Sequence, residues 1–260
     1  MSGIQSRFEG KKALVTGSDQ GIGQGIALRL AQEGCDIAIN YRANRDGADD
    51  TKKQIEAMGR KAVVVQADLG KMEDRQRVVD EATSGLGALD FLVNNAGVEK
   101  RADFWDATDK DYELVISVNM TGPFFVTQRF VQKLRETKKP GKVVNISSVH
   151  EELPFPHFAS YCMAKGGLKM MMRTLSIELA PLGITINNIA PGAIQTPINK
   201  NLLENEKQLK ALTDNIPLAR LGQPSDVAGV CAFLLSADAD YVTGATYFVD
   251  GGLTWNYQEQ

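Results

Sequence analysis

Tyr161 and Lys165 lie four residues apart in the segment YCMAK, so a helix would place both side chains on one face. A free tyrosine, with a pKa of about 10, is a poor base at neutral pH, but a neighbouring ammonium group favours the phenolate. The pair therefore predicts a proton-transferring tyrosine whose pKa is depressed by the lysine. Ser147 and Ser148 end the preceding apolar run, where a hydroxyl group can hold a substrate oxygen. A simple pair on a helix surface is the alternative reading of Tyr-x-x-x-Lys.

A glycine-rich segment, TGSDQGIG (residues 16–23), lies between the first apolar run and the first segment of helical periodicity. Glycine permits tight turning and close approach of the backbone to a ligand. The following helix N-terminus offers free amide donors and a partial positive charge to a pyrophosphate. The spacing is G-x-x-x-G-x-G rather than G-x-G-x-x-G, and its position between strand and helix predicts a dinucleotide-binding loop. An ordinary strand-to-helix turn is the alternative.

Three further polar positions follow predicted strands. Asp68 comes after the third strand, where its carboxylate can accept a hydrogen bond from an adenine amino group or cap the helix over 72–86. NNAG (94–97) follows the fourth strand, and its small residues let a cofactor lie against the strand ends. Asn119 lies between the fourth and fifth strands.

Short apolar runs alternate with segments of helical periodicity almost from end to end. Continuous apolar runs are typical of strands buried on both faces, so the pattern predicts an α/β fold, a doubly wound parallel sheet. No linker or charge block divides the chain, which predicts one domain over 1–260. The predicted strands are 12–17, 36–41, 61–66, 90–95, 142–147, 184–190 and 245–250, and the predicted helices are 21–34, 46–58, 72–86, 109–116, 122–138, 161–180, 200–212 and 225–236.

Composition narrows the classes of partner. The formal net charge is −3 with no basic cluster, which argues against a nucleic-acid binder. Three widely spaced cysteines (Cys35, Cys162 and Cys231) form neither a disulfide framework nor a metal-ligand cluster, and suit a reducing compartment. No signal-peptide pattern and no apolar run of about 20 residues is present. We therefore expect a cytoplasmic protein without a metal, membrane or nucleic-acid partner.

The order TGSDQGIG, Asp68, NNAG, Asn119, the serine pair, YCMAK and PGAIQTP resembles that of the short-chain dehydrogenase/reductase family, roughly over residues 8–252. The resemblance implies a seven-stranded Rossmann fold, NAD or NADP, a small-molecule alcohol or carbonyl substrate, and a homotetramer in which helices 122–138 and 161–180 pair across subunits. It also implies a catalytic tetrad of Asn119, Ser148, Tyr161 and Lys165. The expected cofactor contacts are Gly17, Gln20, Gly21, Ile22, Gly23, Tyr41, Arg42, Asp68, Leu69, Asn95, Ala96, Gly97, Tyr161, Lys165, Pro191, Gly192, Ile194 and Thr196.

The resemblance assigns a role to each member of the tetrad. Tyr161 transfers the proton of the substrate oxygen while hydride passes to or from the nicotinamide, and Ser148 holds that oxygen. Lys165 lowers the tyrosine pKa and binds the nicotinamide ribose, and Asn119 holds a water that relays protons from Lys165. Ser148 is chosen over Ser147 because the family's catalytic serine usually stands thirteen residues before the tyrosine.

The end of the second strand bears on the choice between NAD and NADP. Tyr41 occupies the position where NAD-preferring members carry an acidic residue, and Arg42 can pair with a 2′-phosphate. Two residues argue against NADP. Gln20 replaces the basic residue often found before the second glycine of the loop, and Asp19 adds a negative charge nearby. We predict use of NADP with NAD tolerated; the alternative is that Arg42 is a solvated loop residue.

NISSVHEELPFPHFASY, NNAGVEK and PGAIQTPIN resemble the glucose 1-dehydrogenase branch of the family. The branch implies oxidation of the anomeric hydroxyl of a pyranose, β-D-glucose foremost. His150 could instead only cap its loop, and Glu99 could serve a subunit contact. Residues 193–215 are interpreted as a substrate lid, or as a surface helix. The predicted substrate contacts are Glu99, Ser148, His150, Tyr161 and Asn199.

Two other functions remain open at this point. A 3-oxoacyl thioester reductase, or another carbonyl reductase of the same family, would use the same tetrad. The apolar stretch Leu153–Phe155 would suit a hydrophobic ketone. A non-catalytic regulator that binds the dinucleotide is the alternative from another class, and the intact tetrad argues against it.

Overall fold

The computed structural model describes residues 6–197 and 205–256. Seven strands form one parallel sheet in the order β3-β2-β1-β4-β5-β6-β7. The prediction of a doubly wound parallel sheet is therefore confirmed. The strands are β1 Lys12–Val15, β2 Asp36–Tyr41, β3 Ala62–Gln66, β4 Phe91–Asn94, β5 Gly141–Ile146, β6 Ile184–Pro191 and β7 Thr246–Val249.

Helices cover both faces of the sheet. The first core cluster joins α1, α2 and α8 to one face, and the second joins α3, α5 and α6 to the other. Most predicted helices agree with the structure to within two residues at each end; the predicted helix over 200–212 is described only from 205 and ends at Asp214. The helices are α1 Gly21–Gln32, α2 Arg45–Ala57, α3 Met72–Leu86, α4 Asp109–Ile116, α5 Gly122–Thr137, α6 Ala159–Leu179, α7 Glu206–Asp214 and α8 Pro224–Leu235.

Alternation along the strands divides the core between the two layers. In β1, Ala13 and Val15 belong to the first cluster, whereas Leu14 belongs to the second, and all three are fully buried. Successive side chains of a strand point to opposite faces, so a strand covered on both sides is apolar at every position. This explains why the strands appear in the sequence as continuous apolar runs.

The order of the strands reverses between β1 and β4, where β1 is flanked by β2 on one side and β4 on the other. In open parallel sheets, ligands bind outside the carboxyl ends of the strands at such a point. The loops that follow β1, β4, β5 and β6 meet there. No helix among the described residues is both long enough and apolar enough to cross a membrane.

Candidate active site

A cavity of about 760 Å³ opens at the carboxyl edge of the sheet and extends from Arg42 to Tyr161. Most of the residues assigned to the site from the sequence form its wall. They are Gly17, Gln20, Gly21, Ile22, Arg42, Asp68, Leu69, Asn95, Ala96, Gly97, Glu99, Ser148, His150, Tyr161, Lys165, Pro191, Gly192, Ile194 and Thr196.

The glycine-rich loop is held tightly against the end of β4. Gly17 and Gly21 both have a φ of 59°, a conformation that favours glycine. The Asn95 amide donates to the carbonyl oxygens of Thr16 (2.9 Å) and Gly17 (2.8 Å). A Cβ atom on Gly23 would lie 2.2 Å from the Gly17 carbonyl oxygen, so α1 can begin this close only because that side chain is absent.

A nicotinamide dinucleotide fits the cavity on two observations. The helix α1 begins at Gly21 with no side-chain cap from Gln20, so its first amides remain available to a phosphate group. Ser147 is 4% exposed and lies on the cavity wall, yet its hydroxyl has no hydrogen-bond partner among residues 6–197 and 205–256. A buried hydroxyl group without a partner is costly, so a bound molecule is its expected partner. The choice of Ser148 over Ser147 in the sequence left this second hydroxyl group without a role.

Two predicted cofactor contacts lie off the cavity wall. Tyr41 is 3% exposed and belongs to the first core cluster, because its side chain points away from the face used by Asn40 and Arg42 on either side of it. The Tyr41 side chain therefore does not line the cavity, and its contact with the cofactor stays a prediction. Gly23 is also absent from the wall, and its part is to let α1 approach Gly17 and Asn95.

Asn119 is buried and bound on all sides to the backbone of neighbouring segments. It lies in a π-helical turn, Ser117–Thr121, between α4 and α5 and is 1% exposed. Its amide nitrogen donates to the carbonyl oxygens of Val98 (2.7 Å) and Val115 (2.8 Å), and its oxygen accepts from the Val98 amide (3.1 Å). Both ends of its side-chain amide are thus bound to the backbone, and its holding of a relay water stays a prediction. Asn119 fixes the segment that follows NNAG.

Ser148, Tyr161 and Lys165 meet as predicted. Tyr161 is in the first turn of α6, next to the end of β5, and its hydroxyl group is hydrogen-bonded with Ser148. Desolvation raises the pKa of Tyr161 to about 12; the Ser148 hydrogen bond lowers this pKa and the Glu99 charge raises it. Lys165 is 4% exposed, and its ammonium group donates to the Ile146 carbonyl oxygen at 2.9 Å.

The expected depression of the Tyr161 pKa is wrong for the protein alone. The Lys165 ammonium group lies 5.4 Å from the centre of the tyrosine ring, and burial lowers the pKa of the lysine itself to about 8. Desolvation disfavours the charged form of both groups, and the ammonium group is directed at a backbone carbonyl. The sequence predicted the pair but not the desolvation that dominates it.

An aromatic stack forms the cavity wall beside Tyr161. His150 stacks on Phe155 with ring centroids 4.1 Å apart, and Phe155 stacks on Phe158 at the same distance. His150 Nδ1 lies 3.3 Å from the Leu153 carbonyl oxygen, and burial lowers the pKa of the imidazole. A neutral ring must donate from Nδ1 to that carbonyl, so Nε2 is left as a hydrogen-bond acceptor. His150 thus ties its loop and also presents an acceptor beside the tyrosine.

Glu99 lies at the mouth of the cavity. Its carboxylate has no hydrogen bond or ion pair in the described part of the chain, and desolvation raises its pKa. Its charge acts on the Tyr161 hydroxyl, which places the two groups close together. Asn199 lies outside the described residues. Gln208 and Leu212 of α7, together with Leu253, also line the cavity, and no local motif in the sequence indicated them.

Residues 17–254 match a family model described as enoyl-(acyl carrier protein) reductase. The 3β-hydroxysteroid dehydrogenase 1 of Eggerthella lenta is 42% identical over 247 residues, 95% of each chain. Glucose 1-dehydrogenase 2 of Bacillus subtilis is 42% identical over 246 residues, 94% of this chain and 95% of that one. The chain belongs to the short-chain dehydrogenase/reductase family.

A solved structure agrees with this assignment. A candidate 2-deoxy-D-gluconate 3-dehydrogenase from Agrobacterium tumefaciens, with bound NADP, has a TM-score of 0.88 at 37% identity, covering 97% of this chain and 99% of that chain. As a short-chain dehydrogenase/reductase, the chain is a nicotinamide-dependent oxidoreductase acting on CH–OH groups. The predictions of family and enzyme class are confirmed, and the substrate is a separate question.

Proposed function

We propose that this short-chain dehydrogenase/reductase oxidises a hydroxyl group of a polyol, with the anomeric position of a pyranose such as β-D-glucose foremost, and uses NADP while tolerating NAD. The observation that carries the substrate class is the pair of free acceptors beside Tyr161. Glu99 presents a carboxylate without a partner among residues 6–197 and 205–256, and His150 presents an unprotonated Nε2. Acceptors at this point suit a substrate with several hydroxyl groups, because each needs a donor once water is displaced.

The described residues divide the proton chemistry of this reaction among them. Tyr161 takes the proton of the substrate hydroxyl in oxidation and returns it in reduction. Ser148, hydrogen-bonded with the tyrosine, holds the substrate oxygen against it. Lys165 supplies a buried ammonium group 5.4 Å from the centre of the Tyr161 ring and would bind the ribose next to the nicotinamide. The bound nicotinamide supplies the hydride acceptor or donor.

The adenosine end of the cavity supports NADP. Arg42 lies on its wall, and its guanidinium group has no ion pair or side-chain hydrogen bond within the described ranges. A guanidinium group pairs well with a phosphate group, which NADP carries at the ribose 2′ position. Asp19 adds a carboxylate to the same wall; desolvation raises its pKa, while a hydrogen bond with Asn44 and the charge of Arg42 lower it. That carboxylate supports tolerance of NAD, since it can accept from a 2′-hydroxyl group.

A hydrophobic secondary alcohol, such as a steroid, is the second candidate. Phe155, Leu212 and Leu253 line the cavity, and a relative at 42% identity is a 3β-hydroxysteroid dehydrogenase. The lid predicted over 193–215 is described only in part, and Gln208 and Leu212 of its described part would border the substrate on this proposal, because they lie on the cavity wall. A 3-oxoacyl thioester reductase uses the same tetrad, so it belongs in the same assay.

Absorbance at 340 nm across sugars, steroids and 3-oxoacyl thioesters separates these substrates. We expect the largest kcat/KM with a pyranose and NADP. Both Glu99→Ala and His150→Ala should lower kcat/KM for that sugar at least 10-fold, because each leaves a substrate hydroxyl group unpaired. Lys100→Ala is the matched control, since Lys100 pairs with Asp111 on the outer surface. Turnover of steroids but not sugars, or full sugar efficiency in both variants, would overturn the polyol proposal.

We further propose a homotetramer in the cytoplasm. The outer faces of α5 and α6 expose apolar side chains, Phe124 on α5 and Met163, Met170 and Ile177 on α6, with exposed fractions of 44–77%. Pairing of these helices between subunits would cover them. Three free cysteines support a reducing compartment. Sedimentation as a monomer at micromolar concentration would contradict the homotetramer. Recovery of the protein outside the cytoplasmic fraction would contradict the proposed location.

A further inference from the structure

A row of three buried asparagine side chains crosses strands β4, β5 and β6 next to the catalytic residues. Asn94 on β4, Asn145 on β5, Asn188 on β6 and Thr246 on β7 are register partners in the sheet. The Asn94 amide nitrogen donates to Asn145 (2.9 Å), and the Asn145 nitrogen donates to Asn188 (3.0 Å). The three asparagines are at most 3% exposed. A continuous polar row therefore runs through three central strands of the sheet.

Glu151 terminates this row. It ends the short turn Val149–Glu151, just after Ser148, and is 8% exposed. One carboxylate oxygen accepts from the Asn188 amide (3.2 Å) and the other from the Thr246 hydroxyl (2.8 Å). Because a carboxylate can only accept, it fixes the direction of the Asn188 amide and, through it, of Asn145.

Glu151 forms no ion pair within residues 6–197 and 205–256. Its charge instead raises the pKa of Lys165, against the stronger lowering by desolvation. The turn that carries Glu151 packs on α6, and the Lys165 ammonium group is bound to the carbonyl of Ile146, next to Asn145 in β5. The other titratable groups around Lys165 and Tyr161 are Glu99, His150 and Cys162. The charge that acts on the lysine is that of Glu151 and not that of these other groups.

We propose that Glu151 is a positioning residue, whose buried carboxylate at the end of the amide row keeps the Lys165 side chain charged and in place for proton transfer at Tyr161. A buried ammonium group needs compensation for its lost hydration, and one hydrogen bond to Ile146 supplies only part of it. The Glu151 carboxylate supplies a fixed negative potential at Lys165. Its hydrogen bonds to Asn188 and Thr246 keep it from moving to form a direct ion pair with the lysine. The inference rests on the proposed function, because it concerns the lysine of the same site.

Glu151→Gln isolates the charge. The glutamine oxygen can still accept from Asn188, and its amide can donate to Thr246, whose hydroxyl group rotates to accept. Thr246→Val is the matched control, because it removes a hydrogen bond of Glu151 but keeps the carboxylate. Lys165→Met shows how much of the pH dependence of NADPH binding comes from the lysine.

The dissociation constant of NADPH is measured by its fluorescence between pH 6.5 and 10. It depends on the charge of Lys165, which would bind the ribose, and it needs no alcohol substrate. In wild type the constant should rise above about pH 8, because burial lowers the pKa of Lys165 to about 8. Lys165→Met should lack this rise. In Glu151→Gln the rise should begin at least about half a pH unit lower, since a negative charge near the lysine is gone. In Thr246→Val it should stay at the wild-type pH, with a lower melting temperature.

Coincident curves for Glu151→Gln and wild type would overturn the proposal, as would a wild-type curve without the rise. Glu151→Asp keeps the charge and should return the wild-type position; a curve displaced like that of Glu151→Gln would contradict the argument, and this variant decides the matter if the glutamine does not fold. Failure of the polyol proposal is distinguishable, because it leaves these binding curves intact.

Discussion

Replacing Lys165 by methionine should make the protein more stable while removing its activity. Burial lowers the pKa of Lys165 from 10.5 to about 8, so folding disfavours its cation. That difference corresponds to roughly 3 kcal/mol of lost folding stability at neutral pH. Methionine avoids this loss but leaves the Ile146 carbonyl without its donor, which costs about 1–2 kcal/mol. The net gain is about 1–2 kcal/mol, or a few degrees in the melting temperature of a domain of this size.

The gain has a defined dependence on pH. Below pH 8 the lysine is charged in both the folded and the unfolded chain, so its full destabilising effect is present. Between pH 8 and 10.5 the folded lysine has lost its proton while the unfolded one keeps it, so wild-type stability rises toward that of the variant.

Urea unfolding of both proteins at pH 7, 8.5 and 9.5 measures this dependence. Lys169→Met is the matched control, because Lys169 is one turn along α6 and forms an ion pair with the exposed Glu152; it should bring no gain. A Lys165→Met variant less stable than wild type at pH 7, or a difference that does not shrink as pH rises, would refute the reasoning.

Three further outcomes are expected. The absorbance difference at 295 nm between wild type and Tyr161→Phe, without cofactor, should show no tyrosinate below about pH 10, because burial raises the pKa of Tyr161 to about 12; a transition near pH 7 would contradict this. Arg42→Ala should weaken NADP binding by 10-fold or more and NAD binding less than twofold, by calorimetry, since a charge-assisted bond contributes about 1.5–3 kcal/mol; equal weakening of both would count against a 2′-phosphate contact. Gly23→Ala should lower both NADPH affinity and melting temperature, because its Cβ would meet Gly17 and Asn95; an unchanged variant would show that the loop can shift.

Local chemistry made the fold and the central pair of the site predictable from sequence. The continuous apolar runs predicted strands that are covered on both faces. The helical period predicted that Tyr161 and Lys165, four residues apart, share one face of a helix. The glycine-rich loop is likewise a local feature, because Gly17 and Gly21 need the left-handed conformation.

What the sequence could not give depends on neighbours distant in the chain. Tyr41 stands at a position known for cofactor contact, yet the alternation of β2 turns it into the core. Asn119 is occupied by the backbone of Val98, twenty-one residues away, and no spacing rule signals that partner. The direction of the Tyr161 pKa also depends on desolvation by the assembled cavity.

The row from Asn94 to Thr246 has a consequence for how the protein folds. The Asn94 and Asn145 amides gain their partners only when the next strand is in place, and a slip of one residue would turn an asparagine to the opposite face of the sheet. An intermediate without β7 would leave one oxygen of Glu151 without its donor and Asn188 without its register partner, at about 1–3 kcal/mol for each buried group left unpaired. Partly assembled sheets are therefore disfavoured at this edge, and the last two strands should add together rather than in sequence. Native-state hydrogen exchange would then protect β6 and β7 as one cooperative unit.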